Sequence, residues 1–333
     1  MNKIANATEF PICETPPQIN VISIEKLSQA DPESLSNLRH SLTTLGFFYL
    51  DYTNVVPQSL IDGIRESATK SFECPTEAKQ AVHNSKSKAF RGWSNLEEEV
   101  TNNKTDLKES YDFAFESSQQ EPSREQPWRV MQGPNEYPDN GDNHLKSRVQ
   151  EYLKSASKVS HILLKSIALI LNREPQDLQK YFQDPYAYMR FIKYPASNGK
   201  KQGVGPHTDL GFLTLILQQE NVASLQALSL SNEWVRIPPV PNTFVVNIGD
   251  VLQSWSGNVL RATPHRVINS ENDKARISIA FFFEPSLDSV IEGPGLERGG
   301  VVVNSYGEHL LRTFLDSFPS YQYGKEVSSL MSH

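Results

Sequence analysis

Cysteine is nearly missing from this chain: Cys13 and Cys74 are the two in 333 residues. Two thiols make no disulfide framework, so reduced thiols in a reducing, cytoplasmic setting are expected. Long apolar runs are missing too. The longest mainly apolar stretch, Ile162 to Leu171, is broken by Lys165 and falls far short of the roughly 20 residues that cross a bilayer. A membrane-spanning helix is thereby excluded. Met1 to Gln18 carries Lys3, Glu9 and Glu14 and lacks the apolar stretch of a secretory signal, so export is not expected. Positive charge is not in surplus: 32 basic residues face 39 acidic ones, net −7, with no long block of either sign. No basic stripe exists to neutralise phosphates, which makes nucleic acid and anionic membranes poor partners. No internal repeat or low-complexity segment is present.

Aromatics are plentiful, with 16 Phe, 12 Tyr and 4 Trp. A chain with that much apolar ring surface has the means to fold, and its length suits one large core or two modest ones. The first part, residues 1–185, reads as helix-rich. Asp31, Pro32 and Glu33 form a capped helix start, and Leu35, Leu38, Leu42 and Leu45 follow at helical spacing until Gly46. Phe47 to Tyr52 reads as a strand. Leu60, Ile61, Ile64 and Ala68 mark a second helix, and Leu145 through Ile170 a long third one with one apolar face. Between them, Asn84 to Asn143 is polar and punctuated by glycine and proline, and is expected to be loop and irregular structure.

From about Tyr186 to the end, residues 186–333, short β-branched and aromatic runs alternate with Gly, Pro and Asn. Strands are expected over Tyr188–Tyr194, Phe212–Gln218, Leu225–Leu230, Trp234–Ile237, Phe244–Ile248, Val259–Thr263 and Arg276–Glu284. Many short strands at this spacing imply an antiparallel sandwich or barrel. A final amphipathic helix runs past Gly307 through Leu310, Leu311, Phe314 and Leu315.

Of eight histidines, those at 40, 83, 144, 161, 309 and 333 have no evident partner at ligand spacing. His207 and Asp209 are different: residues two apart in an extended segment point to one side, so both side chains can converge. His265, after Pro264, sits several strands later and is a candidate third ligand. Two imidazoles and one carboxylate are the facial set of non-haem Fe(II) oxygenases, and the same set also serves catalytic zinc. Arg276 and Ser278, two apart inside an apolar strand, offer a carboxylate a fork of donors with a hydroxyl beside it. Tyr194 can add a second hydroxyl. Tyr188, Arg190 and Phe283 are candidates for the substrate wall, Phe283 because one face of the Phe281–Phe283 triplet must point inward. Arg91, Lys193, Lys200 and Lys201 are further cations that can meet a substrate carboxylate or stay solvated.

These phrases resemble the isopenicillin N synthase-like family of 2-oxoglutarate and Fe(II)-dependent dioxygenases. The likeness runs along nearly the whole chain: Gly46-Phe47-Phe48-Tyr49, Phe72 with Pro75 to Lys79, Arg91-Gly92-Trp93, Tyr111-Asp112-Phe113 and Gly133-Pro134-Asn135, then His207-Thr208-Asp209, Asn247-Ile248-Gly249-Asp250, Trp255, His265-Arg266-Val267 and Arg276-x-Ser278. The resemblance implies a mainly β fold with flanking helices around a double-stranded β-helix, or jelly-roll, core, the two parts forming one integrated unit. It implies Fe(II) on His207, Asp209 and His265, and the far carboxylate of 2-oxoglutarate on Arg276 and Ser278 with support from Tyr194. Dioxygen (O2) is then the oxidant, succinate and carbon dioxide are by-products, and a small, specialised metabolite is hydroxylated, desaturated or cyclised. Two departures are visible. Ile192 stands where many plant members carry asparagine, and Ser256-Gly257-Asn258 replaces the common Ser-Asn-Gly. An isopenicillin N synthase-like oxidase using no 2-oxo acid keeps the same Arg-x-Ser pair, and a metal-binding jelly roll without turnover is the remaining alternative.

Overall fold

The computed structural model describes residues 10–101, 104–196, 202–219, 222–269, 275–293, 305–318 and 321–331. Lys200, Lys201 and His333 lie outside them. Helix Pro32–Thr43 starts where Asp31 accepts a hydrogen bond from the Ser34 amide, the usual way to satisfy an orphan donor. Gly46 turns the chain into strand Phe47–Asp51 at φ +74°, and a Cβ there would fall 2.6 Å from the Arg261 carbonyl. Only glycine fits that approach.

An eight-stranded sheet carries Phe47–Asp51, Thr243–Ile248, Leu213–Gln218, Arg276–Glu284 and Tyr186–Tyr194 side by side, flanked by Val21–Ser23 at one edge and by Glu109–Ala114 and Gly92–Ser94 at the other. A four-stranded sheet of Trp234–Arg236, Leu225–Leu228, His265–Ile268 and Gln202–His207 faces it. The fold is mainly β with flanking helices, built on a double-stranded β-helix core. Strand alternation sorts the side chains. Phe47, Tyr49, Val245, Ile216 and Ala280 pack between the sheets against Leu225, Ala227 and Val267, while Phe48, Phe281 and Phe283 join the core beneath helix Leu145–Ile170.

Several expectations need correction. Glu109–Ala114 is a buried six-residue strand inside the segment expected to be irregular; its charges sit in the sheet because Glu109 pairs with Lys79 and Lys193, and Asp112 with Arg190. Gln202–His207 and His265–Ile268 are strands, whereas Val259–Thr263 is not. A further helix, Gly324–Leu330, follows Tyr306–Ser317.

Candidate active site

His207 and His265 are directly opposed across two antiparallel strands, their ring centroids 4.2 Å apart. His207 Nδ1 donates to the Gly205 carbonyl at 2.8 Å, and His265 Nδ1 to the Thr263 carbonyl at 3.0 Å. A carbonyl only accepts, so both rings carry their proton on Nδ1 and turn the Nε2 lone pairs to the space between them. Asp209 follows in the turn beyond the strand. Its Oδ2 accepts from the Thr214 hydroxyl at 2.5 Å and the Asn247 amide at 2.7 Å. That leaves Oδ1 at 3.8 Å from His207 Nε2 and 3.6 Å from His265 Nε2. One ligand atom from each residue lies within 4.8 Å of the others, a donor set of two imidazoles and a carboxylate that fits a divalent ion and keeps one side open. Burial, then the neighbouring His265, push His207 down to about 4. For Asp209 burial acts upward, but the two imidazoles, Thr214 and Asn247 outweigh it and hold the carboxyl below its ordinary value.

Arg276 points into a cavity of about 110 Å³ that also reaches all three of these residues. It is 3% exposed. Nη2 donates to Gln218 Oε1 at 3.0 Å and the Tyr194 ring lies under the guanidinium at 5.1 Å, but Nε and Nη1 have no acceptor among the described residues. Burial pulls the guanidinium below its ordinary value, and Tyr194 opposes that only in part. Two orphaned donors on a buried cation are costly unless an anion arrives to take them, and a carboxylate matches their geometry. Ser278 and Ile192 line the same cavity, as does Lys108, which sequence reasoning missed. Lys108 is buried against Glu99 at 3.0 Å and Asp106 at 3.4 Å. Its only signal in the sequence is a charge next to aromatic alternation, in a segment that otherwise reads as loop.

A second cleft of about 140 Å³ opens on His207 and Asp209 between Tyr188, Arg190, Phe282, Glu284, Leu310 and Phe314. Tyr188 stacks on Phe282 at 4.6 Å and meets the edge of Phe314 at 5.6 Å. Phe283 is not there. Register places Arg276, Ser278, Ala280, Phe282 and Glu284 on one face of their strand, so Phe283 turns the other way, wholly buried between Phe182 and His161. Phe282 is the inward ring of the triplet. Arg190 lines the cleft, but its guanidinium is already held by Asp112 at 2.7 and 2.9 Å and by Glu99 at 2.8 Å. Arg91 is locked on the Ala89 and Met131 carbonyls and the Tyr186 hydroxyl, and Lys193 is paired with Glu109, so neither reaches the cleft. Burial pushes Asp250, also on the cleft, up to about 6. A wider groove of about 470 Å³, lined by Cys13, His40 and Leu230, includes none of His207, Asp209 and His265.

The sequence matches the family model described as the 2OG-Fe(II) oxygenase superfamily over residues 179–285, and that described as the non-haem dioxygenase in morphine synthesis N-terminal region over residues 19–140. It is 32% identical to homoarginine-6-hydroxylase 2-ODD-C23 of Glycine max, across 94% of this chain and 99% of the relative. The chain belongs to the 2OG-Fe(II) oxygenase superfamily. This oxygenase is also 34% identical to homoarginine-6-hydroxylase 2-ODD-C23.1 of Arabidopsis thaliana, across 86% of this chain and 90% of the relative. Its fold superposes with a TM-score of 0.75 on the crystal structure of a full-length Neurospora crassa protein in complex with alpha-KG and 5-formyluracil, at 26% identity over 91% of this chain and 98% of the Neurospora chain. As a member of this superfamily the oxygenase is an oxidoreductase that uses Fe(II), 2-oxoglutarate and O2 to oxidise a small molecule.

Proposed function

We propose that His207, Asp209 and His265 hold Fe(II), that Arg276, Ser278 and Tyr194 hold the far carboxylate of 2-oxoglutarate, and that the reaction is hydroxylation of a small molecule seated on Tyr188 and Phe282. The observation that supports this most directly is the buried Arg276, whose two unmatched donors share one cavity with three converging ligand atoms. Bound Fe(II) supplies O2 activation coupled to decarboxylation of the 2-oxo acid. The chain's own residues position and shield. Thr214 and Asn247 fix which carboxylate oxygen of Asp209 faces inward, and the ring pair Tyr188–Phe282 walls the cleft with apolar surface. Hydroxylation is supported by the relatives named as hydroxylases.

We further propose that residues 1–185 and 186–333 work as one unit in the cytoplasm on a specialised metabolite, without nucleic acid or a membrane as partner. The net charge of −7 and the free Cys13 and Cys74 support that setting. Mixing the protein with Fe(II) and 2-oxoglutarate without oxygen is expected to give the weak visible charge-transfer band of the chelate, and Arg276→Leu to raise the 2-oxoglutarate needed by at least tenfold. Absence of the band, or a variant with an unchanged requirement, would refute the assignment. An oxidase that needs no 2-oxo acid would consume O2 without forming succinate.

A further inference from the structure

The cleft holds a buried acid, Glu284, with no counter-charge among the described residues. Glu284 ends its strand on the face shared with Phe282 and is 3% exposed. Its Oε2 accepts from the Phe212 amide at 2.9 Å and the Tyr306 hydroxyl at 2.5 Å. Oε1 receives no donor, and no lysine or arginine pairs with Glu284, among the described residues. The carboxylate lies flat on the backbone of Gly211, where a Cβ would fall 2.0 Å from Oε2 and 2.2 Å from Oε1. Glycine at that position therefore makes room for the acid two residues beyond Asp209. Arg190, the one guanidinium among the described residues lining the cleft, cannot serve as its partner, because Asp112 and Glu99 already occupy it. Burial pushes Glu284 up to about 7, so an acid in this setting either keeps its proton or takes a cationic partner from outside.

Resting on the oxygenase reading above, we propose that the substrate carries a guanidinium or ammonium group and that Glu284 Oε1 receives it, making Glu284 a specificity-determining residue. The stacked rings of Tyr188 and Phe282 on the same face suit such a group, since cations bind aromatic faces, and an N–H donor on a carboxylate forms a charge-assisted hydrogen bond. Anionic substrates would meet Glu284 and Asp250 with no free cation among the described residues of the cleft to offset them.

The test compares equilibrium binding, by calorimetry without oxygen, of L-homoarginine, L-arginine, L-lysine and agmatine with that of neutral L-homocitrulline, L-citrulline and L-norleucine, on protein loaded with Fe(II) and 2-oxoglutarate. Succinate release in air is the second readout. At least one cationic compound is expected to bind and stimulate succinate release, with its neutral counterpart at least tenfold weaker. Glu284→Gln keeps an oxygen for the Phe212 and Tyr306 donors, and is expected to weaken the cation by about 10–100-fold, the loss of one hydrogen bond to a charged group, while moving the neutral counterpart by less than about threefold. The visible chelate band reports that the variant still folds around its metal; for a variant that loses the band, Glu284→Asp, which keeps the charge, is expected to restore the preference for the cation. A panel with no cationic binder, or a Glu284→Gln protein with the preference intact, overturns the proposal and leaves the oxygenase reading standing. Loss of the chelate band in the unaltered protein would overturn both.

Discussion

Replacing Asn247 with leucine tests how the Asp209 carboxylate, proposed above as an Fe(II) ligand, is held. Asn247 is wholly buried, faces Thr214 across adjacent strands, and donates to Asp209 Oδ2 at 2.7 Å. Leucine keeps most of the volume and removes the donor. A hydrogen bond to a charged group contributes about 1.5–3 kcal/mol, and removing partners that orient a metal ligand typically costs 10–100-fold in affinity. Because Thr214 still donates to the same oxygen at 2.5 Å, the lower half of that range applies: about tenfold weaker Fe(II) binding for Asn247→Leu alone. Thr214→Val is expected to do the same, and the double variant to exceed the sum of the two, since Oδ2 then loses both donors and the carboxylate is free to turn. Anaerobic Fe(II) titration followed through the 2-oxoglutarate chelate band gives the affinities, and thermal melting confirms folding. An Asn247→Leu protein that melts normally and binds Fe(II) within about twofold of the parent would refute the claim that these donors set the orientation of Asp209.

Phe282→Ala is expected to change which compounds stimulate succinate release, whereas Phe283→Ala is expected to leave selectivity intact and cost about 3–5 kcal/mol in urea unfolding, as truncation of a buried aromatic ring does; the reverse outcome would contradict the strand register. Gly211→Ala drives a methyl group into the Glu284 carboxylate and is expected to destabilise by about 1–3 kcal/mol. Adding Glu284→Ala should recover much of that loss, and strictly additive effects would show that the clash is not with Glu284. Glu99 gives a pH signature. Burial works against its charge, but Arg190 and Lys108 prevail and hold it at about 2 against an ordinary 4.5. A depressed acid stabilises the fold above its unfolded value and loses that contribution as pH falls from about 4.5 towards 2. Asp106 and Asp112, raised by burial, act with the opposite sign. Unfolding free energies of Glu99→Gln measured from pH 5 to 2 are expected to show a shallower fall than the parent, and an identical slope would dissociate Glu99 from acid stability.

Much of the site is legible in the sequence because its chemistry is local. Arg276 and Ser278 are two residues apart in one strand, so strand geometry alone puts them on one face; His207 and Asp209 have the same spacing and converge as well, although Asp209 lies just past the end of its strand. The helices with apolar periodicity and the aromatic strands are legible for the same reason. What escapes depends on partners distant in sequence. Glu109–Ala114 reads as loop because Glu109 and Asp112 are charged, and a strand with buried charge makes sense only once Lys79, Lys193 and Arg190 are placed beside it. Gln202–His207 contains two glycines and a proline, which point away from a strand. Phe283 falls on the wrong face in a sequence reading because the parity of a triplet is fixed by register, and register with Tyr186–Tyr194 is a property of the sheet. Glu284 and Lys108 escape notice because a single charged residue carries no signal of what does, or does not, neutralise it.

Arg190 belongs to the carboxyl-terminal part of the chain, yet both of its carboxylates, Asp112 and Glu99, are contributed by the amino-terminal part. Exchanging either part alone would break these two ion pairs unless the incoming part supplied matching charges. A chimera that took its first hundred-odd residues from a distant relative lacking those acids would leave a bare guanidinium on the wall of the cleft. Drift in one half must be matched by drift in the other, and new specificities in this lineage would be expected to arise by paired changes on both sides of that seam.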